Sequence, residues 1–266
     1  MALFPEWSSV RRPVVGMLHS PPLPGAPRFA GDVAALTAHV LRDAEALAAG
    51  GVHGLMLENY GDLPFYPDRV PAYVVAQMTA LASEVRRRFP QVPVGINVLR
   101  NDGRSALAVA HASGARFIRV NVLCGARVAD QGVLHGVAHE LLRERALLRA
   151  DVRILADVDV KHSAPLAPRP LEEEVADTIH RGLADALIVS GSGTGRATDP
   201  AHVAAASATA AGRVPVFVGS GVTAQSLPEY LPHADGFIVG SAFKAGGDPA
   251  QPIDAARVKE LVGALG

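Results

Sequence analysis

Short apolar runs alternate with amphipathic stretches along the whole chain. Runs rich in Val, Ile and Leu at 14–18, 54–58, 92–98, 115–122, 152–157, 186–190, 214–219 and 236–240 are bounded by Gly, Pro or Asp, and predict eight strands. Their nearly unbroken apolar character is that of parallel strands buried on both faces. Between and after them, helical periodicity predicts helices at 33–49, 72–88, 103–113, 134–150, 171–181, 200–211, 223–231 and 254–265, several opening on capping residues such as Asp32, Asp199 and Thr223. Eight strand–helix units with no interrupting subdomain predict a closed (β/α)8 TIM barrel, one domain spanning 1–266, rather than an open doubly wound sheet. The longest connections (19–31, 59–71, 123–133 and 159–170) all follow strands. That is the face on which barrel enzymes assemble their active sites.

Composition narrows the class. Hydrophobic residues make up 49% and charged residues 19%, ample for a large core and unlike a disordered chain. Twenty-five basic against 26 acidic residues leave a net charge of -1, so no basic field attracts a nucleic-acid polymer or an anionic membrane. The single cysteine, Cys124, excludes an intramolecular disulfide and a cysteine-based zinc cluster. The first residues lack a signal-peptide pattern, and no apolar run is long enough to span a bilayer. A soluble, reduced, cytoplasmic protein is expected, compatible with a homo-oligomer.

Only three of the basic residues are lysines (Lys161, Lys244 and Lys259), and only four asparagines occur: Asn59, Asn97, Asn101 and Asn121. In the fifth strand unit, alternation places Asp157, Asp159 and Lys161 on one side if the strand stays extended through residue 161. Two carboxylates beside an ammonium would lower their own pKa values and raise that of the lysine, while burial opposes both shifts. Arginine suits a purely structural pair with carboxylates better, so a lysine retained here points to function. Glu58 closes the second strand and His19 the first. All four asparagines fall at or near strand carboxyl ends. Turns account for Asn59 and Asn101, whereas Asn97 and Asn121, together with Arg119, are expected to bind or orient a substrate. His162 joins them at the rim.

Glycine-rich turns end three successive strands: Ser190, Gly191 and Gly193 within the run to Gly195; then Gly219, Ser220 and Gly221; then Gly240 and Ser241. Glycine admits close backbone approach, and N–H groups there attract an anion. The turns after strands seven and eight are where many barrels bind phosphate, so a phosphate-binding cup is expected; Lys244, just beyond, either adds charge to it or is solvated, and as an exposed charge it would be worth about 1 kcal/mol. Other features read as structural: His135 and His139 as a solvated helix face, Glu172 to Glu174 as an acidic first helical turn. The spacing of Glu58, Asp157, Asp159 and His162 matches no defined divalent-metal site, and no cofactor is expected.

The segments Gly16-Met-Leu-His-Ser-Pro-Pro-Leu-Pro-Gly25, Glu58-Asn-Tyr-Gly-Asp62, Gly95-Ile-Asn-Val-Leu-Arg-Asn-Asp102, Phe117-Ile-Arg-Val-Asn121, Ala156-Asp-Val-Asp-Val-Lys-His162, Ile188-Val-Ser-Gly191 and Val218-Gly-Ser-Gly-Val-Thr223 resemble the BtpA (BtpA/SgcQ-like) family over nearly the full chain. The resemblance implies a TIM barrel of this length. One branch of that family is associated with photosystem I biogenesis and another is described as nucleosidases.

The residues themselves point first to an enzyme acting on a small phosphorylated sugar or nucleotide-like molecule: a nucleosidase, or a phosphosugar isomerase or epimerase. Glu58 or Asp157 would be the general acid/base, with Asp159 nearby and Lys161 supplying electrostatic stabilisation. A class I aldolase-type lyase using Lys161 as Schiff-base nucleophile ranks lower, because flanking aspartates would hold its proton. A non-catalytic assembly factor retaining a vestigial site is the third reading.

Overall fold

The computed structural model describes residues 3–191, 193, 197–248 and 251–265. Eight strands close the barrel: β1 (Val14–His19), β2 (Gly54–Glu58), β3 (Val94–Asn97), β4 (Phe117–Val120), β7 (Arg153–Val158), β9 (Ala186–Val189), β10 (Val216–Val218) and β11 (Gly236–Val239). They pair in that order, each neighbour parallel, and β11 returns to β1. The predicted (β/α)8 topology is the observed one. Around it lie α1 (Val33–Ala49), α2 (Ala72–Arg88), α3 (Gly103–Ser113), α4 (Ala138–Leu147), α5 (Leu171–His180), α6 (Pro200–Ala210), α7 (Leu227–Tyr230) and α8 (Ala255–Gly263). Asp32 and Asp199 cap α1 and α6 through backbone N–H groups, as their positions predicted. No helix among the described residues is long and apolar enough to cross a membrane.

Two apolar layers hold the barrel. One packs the outer strand faces against the helices. The other fills the lower interior with Val15, Met17, Met56, Phe117, Leu155, Ile188, Phe217 and Ile238, closed from below by Phe4 and Trp7. Glycines make room for these rings: a Cβ on Gly95 would lie 2.1 Å from Phe117, and one on Gly236 would lie 2.4 Å from Phe217. Trp7 Nε1 also donates to His53 O at 2.7 Å, pinning the amino-terminal segment to the barrel floor.

Three short strands depart from the predicted pattern. β5 (Ala126–Ala129) and β6 (Gly132–His135) form a hairpin, and β8 (Ser163–Pro165) adds to β5, giving an antiparallel flap on the rim. Leu134 packs beneath it with Val122 and Val160. The predicted fourth helix therefore begins at Ala138 rather than at 134. Strand β10 starts later than expected because Pro215 has no N–H for the ladder. Thr223 caps the turn before α7, its side chain and that of Ser226 each accepting from the other's backbone N–H, and the regular helix is short because Pro228 has no N–H to donate to the preceding turn.

Trp7→Ala should lower stability by about 3–5 kcal/mol, the cost of emptying a buried aromatic site. Urea denaturation measures it, and a loss below 1 kcal/mol would mean that the amino-terminal segment does not seal the barrel.

Candidate active site at the barrel mouth

The strand period that puts Met17, Met56, Phe117, Leu155, Ile188, Phe217 and Ile238 inside puts His19, Glu58, Arg119, Asp157, Ser190, Gly219 and Gly240 inside one step higher, with Asn97 above Gly95. The adjacent pairs His19–Glu58, Glu58–Asn97 and Asn97–Arg119 are in direct register. One polar ring thus sits on the apolar floor.

Half of this ring is a closed network around Asp157. Arg119 Nε and Nη2 donate to its two oxygens at 2.8 and 2.7 Å, Asn121 Nδ2 donates at 2.9 Å and Ser190 Oγ at 3.1 Å. All four residues are buried. Burial alone would lower the Arg119 pKa, but the Asp157 carboxylate outweighs it and holds the guanidinium above its ordinary value. Four donors on its two oxygens thus tie Asp157 to Arg119, Asn121 and Ser190. Asn121 Oδ1 is buried without a partner among the described residues.

Glu58 occupies the other half. Its Oε1 accepts from Asn97 Nδ2 at 2.7 Å, and its Oε2 lies 3.6 Å from His19 Nε2. The His19 ring stacks on Tyr60 at 4.5 Å between centroids. Burial pushes the imidazole pKa down to about 4 despite the opposing Glu58 charge, so the ring is neutral. Gly240 is required there, since a Cβ would meet His19 Cε1 at 2.9 Å.

The expected shared face of Asp157, Asp159 and Lys161 does not form. β7 ends at Val158, and Asp159 adopts φ +49, which turns its side chain out of the alternation. Its carboxylate instead meets Arg127 of β5 at 2.5 Å, while its N–H donates to Glu174. Asp159 thereby helps tie the flap to the barrel. Lys161 has no carboxylate within 4.0 Å and no side-chain hydrogen bond among the described residues. Burial first, then the Arg119 guanidinium, lowers its pKa to about 8 against the pull of Glu58 and Asp157, the reverse of the expected rise. Lys244 is likewise not an exposed charge. It is 1% exposed, and its Nζ donates to Asp43 of α1 at 3.2 Å and to Gln251 O at 2.9 Å.

The mouth holds a cavity of two lobes that share Glu58, Arg119 and Lys161. The narrow lobe, with ≈ 30 Å³ open to water centres, is walled by the turns Gly219 to Val222 and Val239 to Ala242. The wider lobe has ≈ 560 Å³ on the same measure; Leu63, Phe65 and Leu99 form an apolar wall, and Arg100, Asn121, Asp130 and His162 a polar one. The turns after β10 and β11 therefore face Lys161 and Arg119, as a phosphate cup would. Among the described residues, none of the run after β9 lines this lobe: Ser190 serves Asp157, and the Gly193 carbonyl accepts from Ser220 Oγ at 3.1 Å. Gly191 is buried beside Ser190, and Ser192, Thr194 and Gly195 lie outside the described residues.

Arg100, Tyr60 and Asp130 are lining residues that pattern reasoning missed. Arg100 is buried and donates to Lys161 O at 2.6 Å. Its position between Asn97 and Asn101 on a rim loop was the available signal. Among the described residues no three His, Cys, Asp or Glu side chains converge as they would around a metal ion.

The sequence pattern of the BtpA family matches residues 10–265. The photosystem I biogenesis protein BtpA of Synechocystis sp. is 44% identical over 265 residues, covering 100% of this chain and 91% of that protein. A Thermococcus kodakarensis protein is 42% identical over 252 residues, 95% of this chain and 94% of its own. Thiamine phosphate pyrophosphorylase from Pyrococcus furiosus shares the fold at a TM-score of 0.58 and 14% identity, over 96% of this chain and 95% of that one. KGPDC from Streptococcus mutans does so at 0.58 and 11%, over 96% and 97%.

Two outcomes follow from the buried charges. Lys244→Met leaves Asp43 buried without its cation and should cost about 3–5 kcal/mol by urea denaturation, rather than the small loss of an exposed charge. His19 has a folded pKa of about 4 against an ordinary 6.5. The unfolded chain binds more protons between those values, so stability falls as pH drops through that window, by on the order of 3 kcal/mol. His19→Gln should remove that part of the acid sensitivity, and equal pH slopes for both proteins would show that His19 already carries its proton when folded.

Proposed function

The chain belongs to the BtpA family, and from the geometry of its barrel mouth we propose that it is an enzyme acting on a small phosphorylated sugar or nucleotide-like molecule. One observation carries this reading. The glycine turns after β10 and β11, the cations Arg119 and Lys161, and the carboxylate of Glu58 wall the same narrow lobe. A phosphoryl group seated there meets the backbone of the two turns and the Arg119 guanidinium. The attached carbon skeleton extends past Glu58 into the wider lobe, where Leu63, Phe65 and Leu99 limit access of water.

Glu58 is the general acid/base of this reading. Asn97 holds one of its oxygens, and the other faces neutral His19 and the cavity. Cleaving a glycosidic bond calls on two free carboxylates in most enzymes, and here Asp157 is bound fourfold by Arg119, Asn121 and Ser190. With Asp157 so held, Glu58 is the carboxylate of the polar ring left facing the cavity, which favours proton transfer next to a carbonyl, the chemistry of a phosphosugar isomerase or epimerase, over nucleosidase action.

Gly221→Leu places a side chain in the cup at a residue with φ +66. It should abolish binding of ribose 5-phosphate in titration calorimetry while the circular dichroism spectrum is retained. Unchanged affinity would leave the glycines as plain turns. Glu58→Gln should slow deuterium incorporation next to the carbonyl of ribulose 5-phosphate by about 100-fold or more, followed by proton NMR in heavy water, with affinity retained. Undiminished exchange would remove Glu58 from the chemistry.

A further inference from the structure

We propose that Lys161 is a covalent nucleophile, its amine condensing with the carbonyl of a phosphorylated aldehyde or ketone whose phosphoryl group sits in the glycine cup. The anchoring of the substrate rests on the function proposed above; the reactivity of the amine does not.

The three lysines occupy three different environments. Lys259 is exposed on α8. Lys244 is buried and ion-paired with Asp43. Lys161 walls both lobes of the cavity and has no ion pair among the described residues. A structural ammonium out of water is placed on a carboxylate, as Lys244 is, because an unpaired buried charge is costly. Of the carboxylates around Lys161, Glu58 shares the cavity but does not ion-pair with it, and the other two are already occupied. Asp157 is bound bidentately by Arg119, and Asp159 is turned away to Arg127. Arg119 itself presents positive charge to the lysine. This arrangement favours the neutral amine, whose lone pair is the nucleophile in imine chemistry. An arginine at this position has no such form. Arg100 holds the Lys161 carbonyl at 2.6 Å, fixing the backbone from which the amine projects.

The step balances without an added oxidant or metal. The Nζ lone pair attacks the carbonyl carbon; a C–N bond forms and the C=O π pair moves to oxygen. Nζ gives up a proton to Glu58, which walls the same lobes. Glu58 passes that proton to the alkoxide, and the second Nζ proton follows the same route to the resulting hydroxyl as the C–O bond breaks and water leaves. The product is an imine, and hydrolysis reverses the sequence. Once its nitrogen takes a proton from solvent, the imine withdraws electrons from the neighbouring carbon more strongly than the ketone does, so it assists the proton removal assigned to Glu58.

The test uses the full chain at pH 8 with dihydroxyacetone phosphate or unphosphorylated dihydroxyacetone, sodium borohydride, proteolysis and mass spectrometry. The expected result is a mass gain of one probe less one oxygen on the Lys161 peptide. A lysine with a pKa of about 8 holds on the order of a hundredfold more free amine near neutrality than an ordinary one, reduced to about tenfold in rate by its lower basicity. Labelling should therefore favour Lys161 over Lys259 by about tenfold, and Lys161→Arg should abolish it with the fold retained by circular dichroism. Equal labelling of Lys161 and Lys259, or none at Lys161, overturns the proposal. If inorganic phosphate still binds in calorimetry in that case, the phosphate reading stands alone. Selective labelling by both probes with equal efficiency upholds the nucleophile and overturns the cup.

Discussion

The bidentate contact of Arg119 with Asp157 governs what every other charged group at the barrel mouth can do. Both side chains are buried, and a pair so placed holds together only if the remaining lone pairs are also satisfied. Asn121 and Ser190 supply the missing donors. Four donors thereby occupy the carboxylate. Lys161 is left without an ion pair among the described residues, and Glu58, held by Asn97 on one oxygen, is the ring carboxylate with an oxygen toward the cavity. The electrostatic character of the site follows from this pairing.

Below the ring, the constraint is volume. Eight strands enclose a space that large rings fill only where facing positions have no side chain, and Gly95 and Gly236 provide that space for Phe117 and Phe217. Phe4 and Trp7 complete the floor from outside the strand set. A rigid apolar base under a polar ring fixes the heights of Glu58, Arg119 and Asp157 relative to one another, a precondition for any site that depends on placement to fractions of an ångström.

The rim is held by side chains that bind backbone. Asn59 accepts from Leu99 N and donates to Leu99 O, while Asn101 accepts from Val122 N and donates to Val122 O and His135 O. Asp62 accepts from Leu23 N and Asn59, and burial raises its pKa against those two bonds. Arg127 draws Asp159, Ser163 and Glu174 together beneath the flap. All four asparagines of the chain thus serve the mouth, two as clamps on loop backbone and two, Asn97 and Asn121, on the ring carboxylates.

Strand alternation is a local property, so the sequence by itself determined the eight units, the inward set from His19 to Gly240 and the convergence of polar residues on one rim. Every member of the ring was legible as a position because the two-residue period holds as long as a strand stays extended. It ceased to hold at Asp159, where a positive φ ends the strand, and no local pattern marks that point. The flap was missed for a related reason: its four-residue strands are too short for periodicity, and Leu134 fits a helical repeat as well as a strand. Which carboxylate meets which cation was decided only in the tertiary structure. Arg119 and Asp157 are 38 residues apart, and Lys244 and Asp43 are 201 apart. Charge pairing and desolvation depend on distances across the barrel, so the lowered pKa of Lys161 and the burial of Lys244 reversed what sequence neighbours alone implied.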